Sequence, residues 1–174
     1  MNVMNAFGQR QHPEKFVPLV IRKALAGELV TIHTHTPEGS SEQVPGSRFY
    51  IHARNIAAAV LFLLNKGTVG EKYNVVGERE VDNLEMAKFI ADVVGKPLNY
   101  ALSDDIRSRP GHDIRYALNG TKMAEMGWTL PVSFEDSLRE MVQWTVAHPE
   151  WLTIDRHTDS RAEEKAAKLQ TARL

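Results

Sequence analysis

Asn5, Lys15, Arg48, Asn74, Arg109 and His112 stand at or beside the ends of the helices and strands that the sequence pattern suggests, where loops converge on ligands. Their chemistry points to an anion. A diphosphate needs two or more cations that each donate several hydrogen bonds, and arginine does this in bidentate fashion. Lys15 and Arg48 can supply that charge, with Arg109 on a turn stiffened by Pro110 and Gly111. The competing reading is a set of ordinary surface charges, each contributing little. His33 and His35 alternate on one strand face, a spacing that permits metal ligation. No HExxH motif or third ligand accompanies them, so two polar residues on a half-exposed strand is the simpler reading, and no metal is expected. The basic tail residues Arg156, Arg161, Lys165, Lys168 and Arg173 are offset by Asp155, Asp159, Glu163 and Glu164. They describe a solvated face better than a partner-binding helix.

Redox and nucleophilic machinery is missing from the same sequence. A dinucleotide loop places glycines just after a strand, so that the backbone approaches a pyrophosphate at a helix N-terminus. The nearest candidate, Gly67-Thr-Val-Gly70, precedes a strand, lacks a third glycine and reads as a connecting turn. No Tyr-x-x-x-Lys pair exists: Arg54, Gly77, Asp104 and Gly120 follow Tyr50, Tyr73, Tyr100 and Tyr116 at that spacing. Neither a Gly-x-Ser-x-Gly elbow nor a P-loop is present. With no cysteine, disulfides, thiolate metal sites and a cysteine nucleophile are excluded. No catalytic residue is assigned.

The elements that must position these residues follow from periodicity. The 174 residues suffice for one domain, and 21 Lys+Arg against 22 Asp+Glu argue against nucleic-acid binding through bulk charge. The longest apolar run, Ile56 to Leu64, is nine residues, far short of a membrane span. Asn2, Asn5 and Arg10 replace the apolar stretch of a signal peptide, so a cytoplasmic protein is the default expectation. Pro13 to Ala26 reads as a first helix, with Glu14 at its N-terminal dipole, a Val17, Val20, Ile21, Ala24 stripe and Gly27 at its end. Strands are expected at Leu29 to His33, Arg48 to His52, Lys72 to Val76 and Leu98 to Leu102, and a surface loop at Thr36 to Gly46. A second helix carries Ile56, Ala59, Val60, Leu63 and Leu64 inward. A third, capped by Asp82 or Asn83, carries Met86, Phe89, Ile90, Val93 and Val94 and ends at Gly95. A short helix covers Thr121 to Met126, and a Ser133/Asp136 capping box starts a last one bearing Phe134, Leu138, Met141 and Val142. The fold class is α/β, mixed, mostly helices with a few short strands that need further strands as partners.

Against this background one resemblance stands out. Asn5-Ala-Phe-Gly-Gln-Arg-Gln-His-Pro-Glu-Lys15-Phe-Val-Pro18 resembles the Asn-Asn-Tyr-Gly-Pro…Pro-Glu-Lys-Leu-Ile-Pro segment of dTDP-glucose 4,6-dehydratases, extended short-chain dehydrogenase/reductase enzymes acting on nucleotide sugars. Ala24-Leu-Ala-Gly27, Arg48-Phe-Tyr-Ile-His52, Tyr73-Asn-Val-Val-Gly77, Arg109-Pro-Gly-His-Asp-Ile-Arg-Tyr116, Met126-Gly-Trp-Thr-Leu-Pro131, Ser133-Phe-Glu135 and the Trp144 to Trp151 stretch follow in family order. The resemblance implies the C-terminal part of the extended fold, lacking the glycine-rich dinucleotide-binding half. Residues 1–152 would form a nucleotide-sugar substrate-binding domain and 153–174 a charged tail, helical or disordered. In the complete family reaction bound NAD oxidises the sugar at C4, water is eliminated across C5–C6 and hydride returns to C6. This chain alone is expected to hold no NAD and to be inactive as a lyase. Carried over by position, substrate contacts fall on Asn5, Lys15, Phe16, Thr31, Ile32, His33, Arg48, Asn74, Ser108, Arg109, Pro110, Gly111 and His112. Ala6, His33 and Phe49 depart from the family pattern and leave the base open among dTDP-, UDP- and GDP-hexoses. The alternatives are a noncatalytic remnant or scaffold module, or the corresponding half of an epimerase or decarboxylase. Partners implied are a nucleotide sugar and either further copies of the chain or a missing N-terminal half, with no nucleic acid and no membrane.

Overall fold

The computed structural model describes residues 1–104 and 114–153. Helix α1 (Phe16–Ala26), α3 (Asn83–Val94) and α5 (Phe134–Ala147) pack on one another, and α1 and α3 pack also on strand β3 (Val30–His35). Their facing side chains, Val17, Val20 and Ile21 with Ile32, Met86, Ile90, Leu138, Met141 and Val142, make the larger of two cores. A smaller core joins α2 (Ala53–Lys66), β7 (Asn74–Val75) and α4 (Thr121–Glu125) through Ala59, Val75, Met123 and Phe62. A short 3-10 helix, Pro149–Leu152, follows α5 and buries Leu152.

Four small sheets hold the remaining elements. Strand β1 (Asn2–Val3) pairs parallel with β7, and β2 (Ala6–Phe7) pairs parallel with β6 (Ile51–His52). Strand β5 (Ser47–Arg48) lies between β8 (Val81–Asp82), antiparallel, and β10 (Arg115–Tyr116), parallel. Strand β3 lies between β4 (Val44–Pro45), antiparallel, and β9 (Tyr100–Ser103), parallel. The α/β class expected from the alternation of helices and short strands is the one observed.

Local chemistry explains where the elements stop. Gly27 and Gly95 end α1 and α3 in the left-handed region, at φ 68° and 73°, which glycine adopts without steric cost. Asp82 caps α3, its Oδ1 accepting from the N–H groups of Leu84 and Glu85 at 2.8 Å. The Ser133 hydroxyl accepts from the Asp136 N–H at 3.1 Å, as the capping-box pattern requires. The Glu78 carboxylate accepts from the Phe134 N–H at 2.6 Å, adding an anion at the positive end of α5.

Several boundaries differ from the sequence reading. Helix α1 starts at Phe16 and not at Pro13, because the chain turns at residues 12–15 through a Lys15 N–H to His12 carbonyl bond. Glu14 therefore lies outside its first turn. The strand expected over Arg48 to His52 is broken at Phe49 and Tyr50 into β5 and β6, each with its own partner. Strand β7 is shorter than Lys72 to Val76, and its neighbour β1 comes from this chain.

The stripe read for α2 is also rotated. Val60 is 39% exposed and Leu64 78%, while Asn55 is 2% exposed and inside. Asn55 is satisfied there because its amide pairs with both backbone groups of Val132, at 2.8 and 3.1 Å. An all-apolar turn cannot say which of its faces is inward; a polar side chain with two backbone partners decides it. No described helix is long and apolar enough to cross a membrane.

Candidate functional site

Phe7 at the end of β2, the turn before α1 and strand β5 surround a cleft of about 510 Å³. Asn5, Lys15, Phe16 and Arg48 line it, together with Gln11, Glu14, Tyr50 and Asn83. Four of the residues assigned by sequence thus meet in one place, although 43 positions separate Asn5 from Arg48.

Each is positioned by identifiable forces. Arg48 is 7% exposed, and its Nη1 donates to the carbonyls of Ser47 at 2.6 Å and Ile114 at 2.7 Å. Its guanidinium lies 5.9 Å from the centre of the Tyr116 ring, in the neighbouring strand. Gly46 lets the chain pass close to Ile114: a Cβ there would stand 2.9 Å from the Ile114 carbonyl oxygen. Lys15 is the N-cap residue of α1 and makes no side-chain cap bond, and no acidic residue sits in the first turn of the helix. Lys15, Phe16 and Val17 line the cleft, so the positive end of the α1 dipole faces it without a carboxylate in that turn.

Tyr50 forms another part of the wall. It is 8% exposed, and its hydroxyl donates to Asn83 Oδ1 at 2.7 Å. Burial pushes the phenol pKa far up, partly opposed by the neighbouring Arg48 charge and reinforced by Asp82. Tyr50 is a neutral donor at any physiological pH. Asn5 has a backbone φ of 30°, a conformation asparagine tolerates better than most residues.

The loop that carries Gln11 and Lys15 is anchored on its far side. Arg10 stacks over Trp144 and Trp151 at 5.6 and 5.8 Å, and Trp144 stacks on His148 at 4.2 Å. Gln9 bridges His52 and Glu140, and Glu140 receives a two-nitrogen fork from Arg54. His52 is 3% exposed; its Nδ1 accepts from the Arg54 N–H at 3.1 Å, which caps α2. The hydrogen-bond network therefore assigns its proton to Nε2, facing Gln9 Oε1 at 3.2 Å. Burial lowers the His52 pKa from 6.5, with Arg54 adding to the effect and Glu140 opposing it.

The sign of the resulting pH dependence follows directly. Below about pH 6.5 the unfolded chain binds more protons than the folded one, so stability falls as the medium acidifies. We expect the melting temperature to drop between about pH 7.5 and pH 5.5. His52→Asn, which keeps a capping side chain, is expected to flatten that drop; an equal drop in both proteins would remove His52 as its source.

The remaining assigned residues are placed elsewhere. Ile32 is completely buried in the larger core, Thr31 is exposed, His33 is half-buried, and none of the three lines the cleft. Asn74 is engaged at the β1–β7 edge, where its amide donates to the Asn119 carbonyl at 2.9 Å and accepts from Asn2 at 3.0 Å. Ser108, Arg109, Pro110, Gly111 and His112 lie outside the described residues. Gln11, Glu14, Tyr50 and Asn83 are not among the site residues read from the sequence, where Glu14 and Asn83 enter only as a helix-dipole partner and a cap candidate. Only Tyr50 carried a signal there, since alternation along 48–52 puts it on the face of Arg48. Among the described residues no group of three metal-binding side chains forms around His33 and His35.

This fold is shared with known proteins. Residues 1–76 match the NAD dependent epimerase/dehydratase family. By sequence and by fold the chain matches one half of such an enzyme. It is 35% identical over 153 residues to dTDP-glucose 4,6-dehydratase of Haemophilus influenzae, covering 82% of this chain and 43% of that protein. It is 34% identical over 160 residues to the dTDP-glucose 4,6-dehydratase of Xanthomonas campestris pv. campestris, covering 87% of this chain and 43% of that one. Among solved structures, dTDP-glucose 4,6-dehydratase from Bacillus anthracis, in complex with NAD, superposes with a TM-score of 0.68 at 33% identity. That match covers 86% of this chain and 44% of the other. UDP-glucose 4-epimerase from Thermus thermophilus, also in complex with NAD, superposes with a TM-score of 0.65 at 25% identity, covering 81% and 44%. The chain therefore spans less than half the length of these relatives.

The described residues form no glycine-rich cradle for the pyrophosphate of NAD. Gly8, the glycine nearest a strand-to-helix turn beside the cleft, is pressed against Ala53, 3.2 Å from where its own Cβ would stand. No described loop offers the successive glycines that a pyrophosphate cradle needs. No hydride-transfer step is assigned to this chain.

Proposed function

We propose that this chain is the C-terminal, substrate-holding half of an NAD-dependent sugar-nucleotide 4,6-dehydratase-like enzyme, and that its cleft binds the diphosphate of a nucleotide sugar. The observation that carries this reading is the convergence of Arg48, Lys15 and the uncapped N-terminus of α1 on one cleft. A diphosphate spreads its charge over several oxygens and is matched by a planar guanidinium, a mobile ammonium and backbone N–H groups. Asn5 supplies an uncharged amide beside them.

The role assigned is positioning. Holding a reactant in one orientation converts a bimolecular encounter into an effectively unimolecular step, and that alone supplies a large part of many rate enhancements. Redox and proton transfer belong to polypeptide outside this chain.

Isothermal titration of the purified chain with dTDP-glucose and with UDP-glucose tests the proposal. Saturable one-to-one binding of at least one of them, competed by the free nucleoside diphosphate and weakened by salt, is the expected result. Absence of binding to both would refute it. Lys15→Ala is expected to weaken the bound conjugate by about tenfold, the loss of one charge-assisted contact at the rim of the cleft. An unchanged affinity would remove Lys15 from the site.

A further inference from the structure

Two atoms of cleft-lining residues are buried without a hydrogen-bond partner: Nδ2 of Asn5 and Oε1 of Gln11. One is a donor and the other an acceptor. The orientation of the Gln11 amide is fixed, because its Nε2 donates to the Ala6 carbonyl at 2.8 Å and leaves Oε1 as the spare group. Asn5 adjoins Ala6 and holds a φ of 30°, so the spare donor belongs to a residue in an uncommon backbone conformation. Its terminal amide torsion is soft and turns the donor at little cost. Buried polar atoms without partners are rare in folded proteins, and two of opposite sense on neighbouring segments ask for a ligand group that serves both.

We propose that Asn5 and Gln11 together read a hydroxyl on the glycosyl part of the bound ligand, with Asn5 Nδ2 donating to its oxygen and Gln11 Oε1 accepting its hydrogen. This rests on the nucleotide-diphosphate reading above and adds a specificity-determining residue, Gln11, to it. A phosphate oxygen satisfies Asn5 alone. It carries lone pairs and no hydrogen at neutral pH, so it would face the lone pairs of Gln11 Oε1. A hydroxyl has both a lone pair and a hydrogen. The cations of the same cleft, Arg48 and Lys15, take the phosphates and leave this pair to the sugar. A site built to hydrogen-bond a hydroxyl rejects the analogue that lacks it, because its own polar atoms then stay unpaired.

The test compares dTDP with dTDP-glucose by titration calorimetry in the wild-type chain and in Gln11→Leu. The wild type is expected to prefer the glucosyl conjugate by about tenfold, and the variant to lose most of that preference. A set of dTDP-deoxyglucose conjugates, each missing one hydroxyl, supplies the second arm. One position is expected to weaken the wild type by about tenfold and to weaken Gln11→Leu no further. An equal preference for dTDP-glucose in both proteins, or deoxy conjugates that all bind the wild type like the parent, overturns the assignment while leaving diphosphate binding intact. Failure of the wild type to bind either dTDP or UDP overturns the diphosphate reading and this assignment with it.

Discussion

Replacing Arg48 by alanine is expected to weaken dTDP-glucose binding on the order of a hundredfold, the loss of a forked, charge-assisted contact to a phosphate in a largely buried position. Arg48→Lys should recover only part of that loss. An ammonium keeps the charge but cannot present two parallel N–H groups to one phosphate. Arg48 also ties the Ser47 and Ile114 carbonyls, so its removal loosens the β5–β10 pairing as well as the cleft. Circular dichroism melts of both variants separate the two effects. A variant that melts like the wild type and binds a hundredfold more weakly supports the assignment; one that melts normally and binds equally well contradicts it.

Gly77→Ala is expected to be among the most destabilising single changes in the chain. A Cβ at position 77 would stand 2.0 Å from the Tyr50 carbonyl oxygen, 2.8 Å from its carbonyl carbon and 3.2 Å from that of Phe49. These are backbone atoms and cannot swing aside as a side-chain tip would. Relief requires moving the segment between β5 and β6, which carries Tyr50 into the cleft wall. A loss of about 3 kcal/mol or more is expected in urea unfolding, at the upper end of overpacking effects, together with weaker ligand binding. Gly70→Ala is the comparison. Nothing lies within 4 Å of its Cβ position, so only its φ of 87° opposes the substitution, at a cost of about 1 kcal/mol. If the two variants unfold alike, the close approach at Gly77 has been misjudged.

The helices were legible because their signals are local. Asp82, Ser133, Gly27 and Gly95 each act on the nearest turn, and each does in the structure what its position in the sequence implies. Pro13 and Glu14 suit a first turn, but helix α1 starts later, because the chain turns once more before Lys15. The rotation of α2 could not be read, since the run from Ile56 to Leu64 is apolar on every side and only the Asn55–Val132 pairing fixes it. The break at Phe49 and Tyr50 was equally hidden. It arises because β5 pairs with β8 and β10 while β6 pairs with β2, three strands that come from distant parts of the chain.

The same distinction separates the parts of the cleft. Lys15 and Arg48 were visible as charges beside element ends, and their meeting is a tertiary fact that the structure supplies. Asn83 looked like one of two alternative helix caps. Asp82 takes that role, which frees the Asn83 amide to accept from the Tyr50 hydroxyl. Gln11 had no sequence signal at all, because its interest lies in a partner it lacks.

Mapping backbone amide shifts of the labelled chain during a dTDP-glucose titration addresses most directly whether one anionic sugar carrier occupies this cleft. Shifts concentrated at residues 5–7, 11, 14–17 and 46–50, saturating together, are the predicted outcome. Shifts confined to β3 or to the β1–β7 edge, with the α1 N-terminus and Arg48 undisturbed, would contradict it.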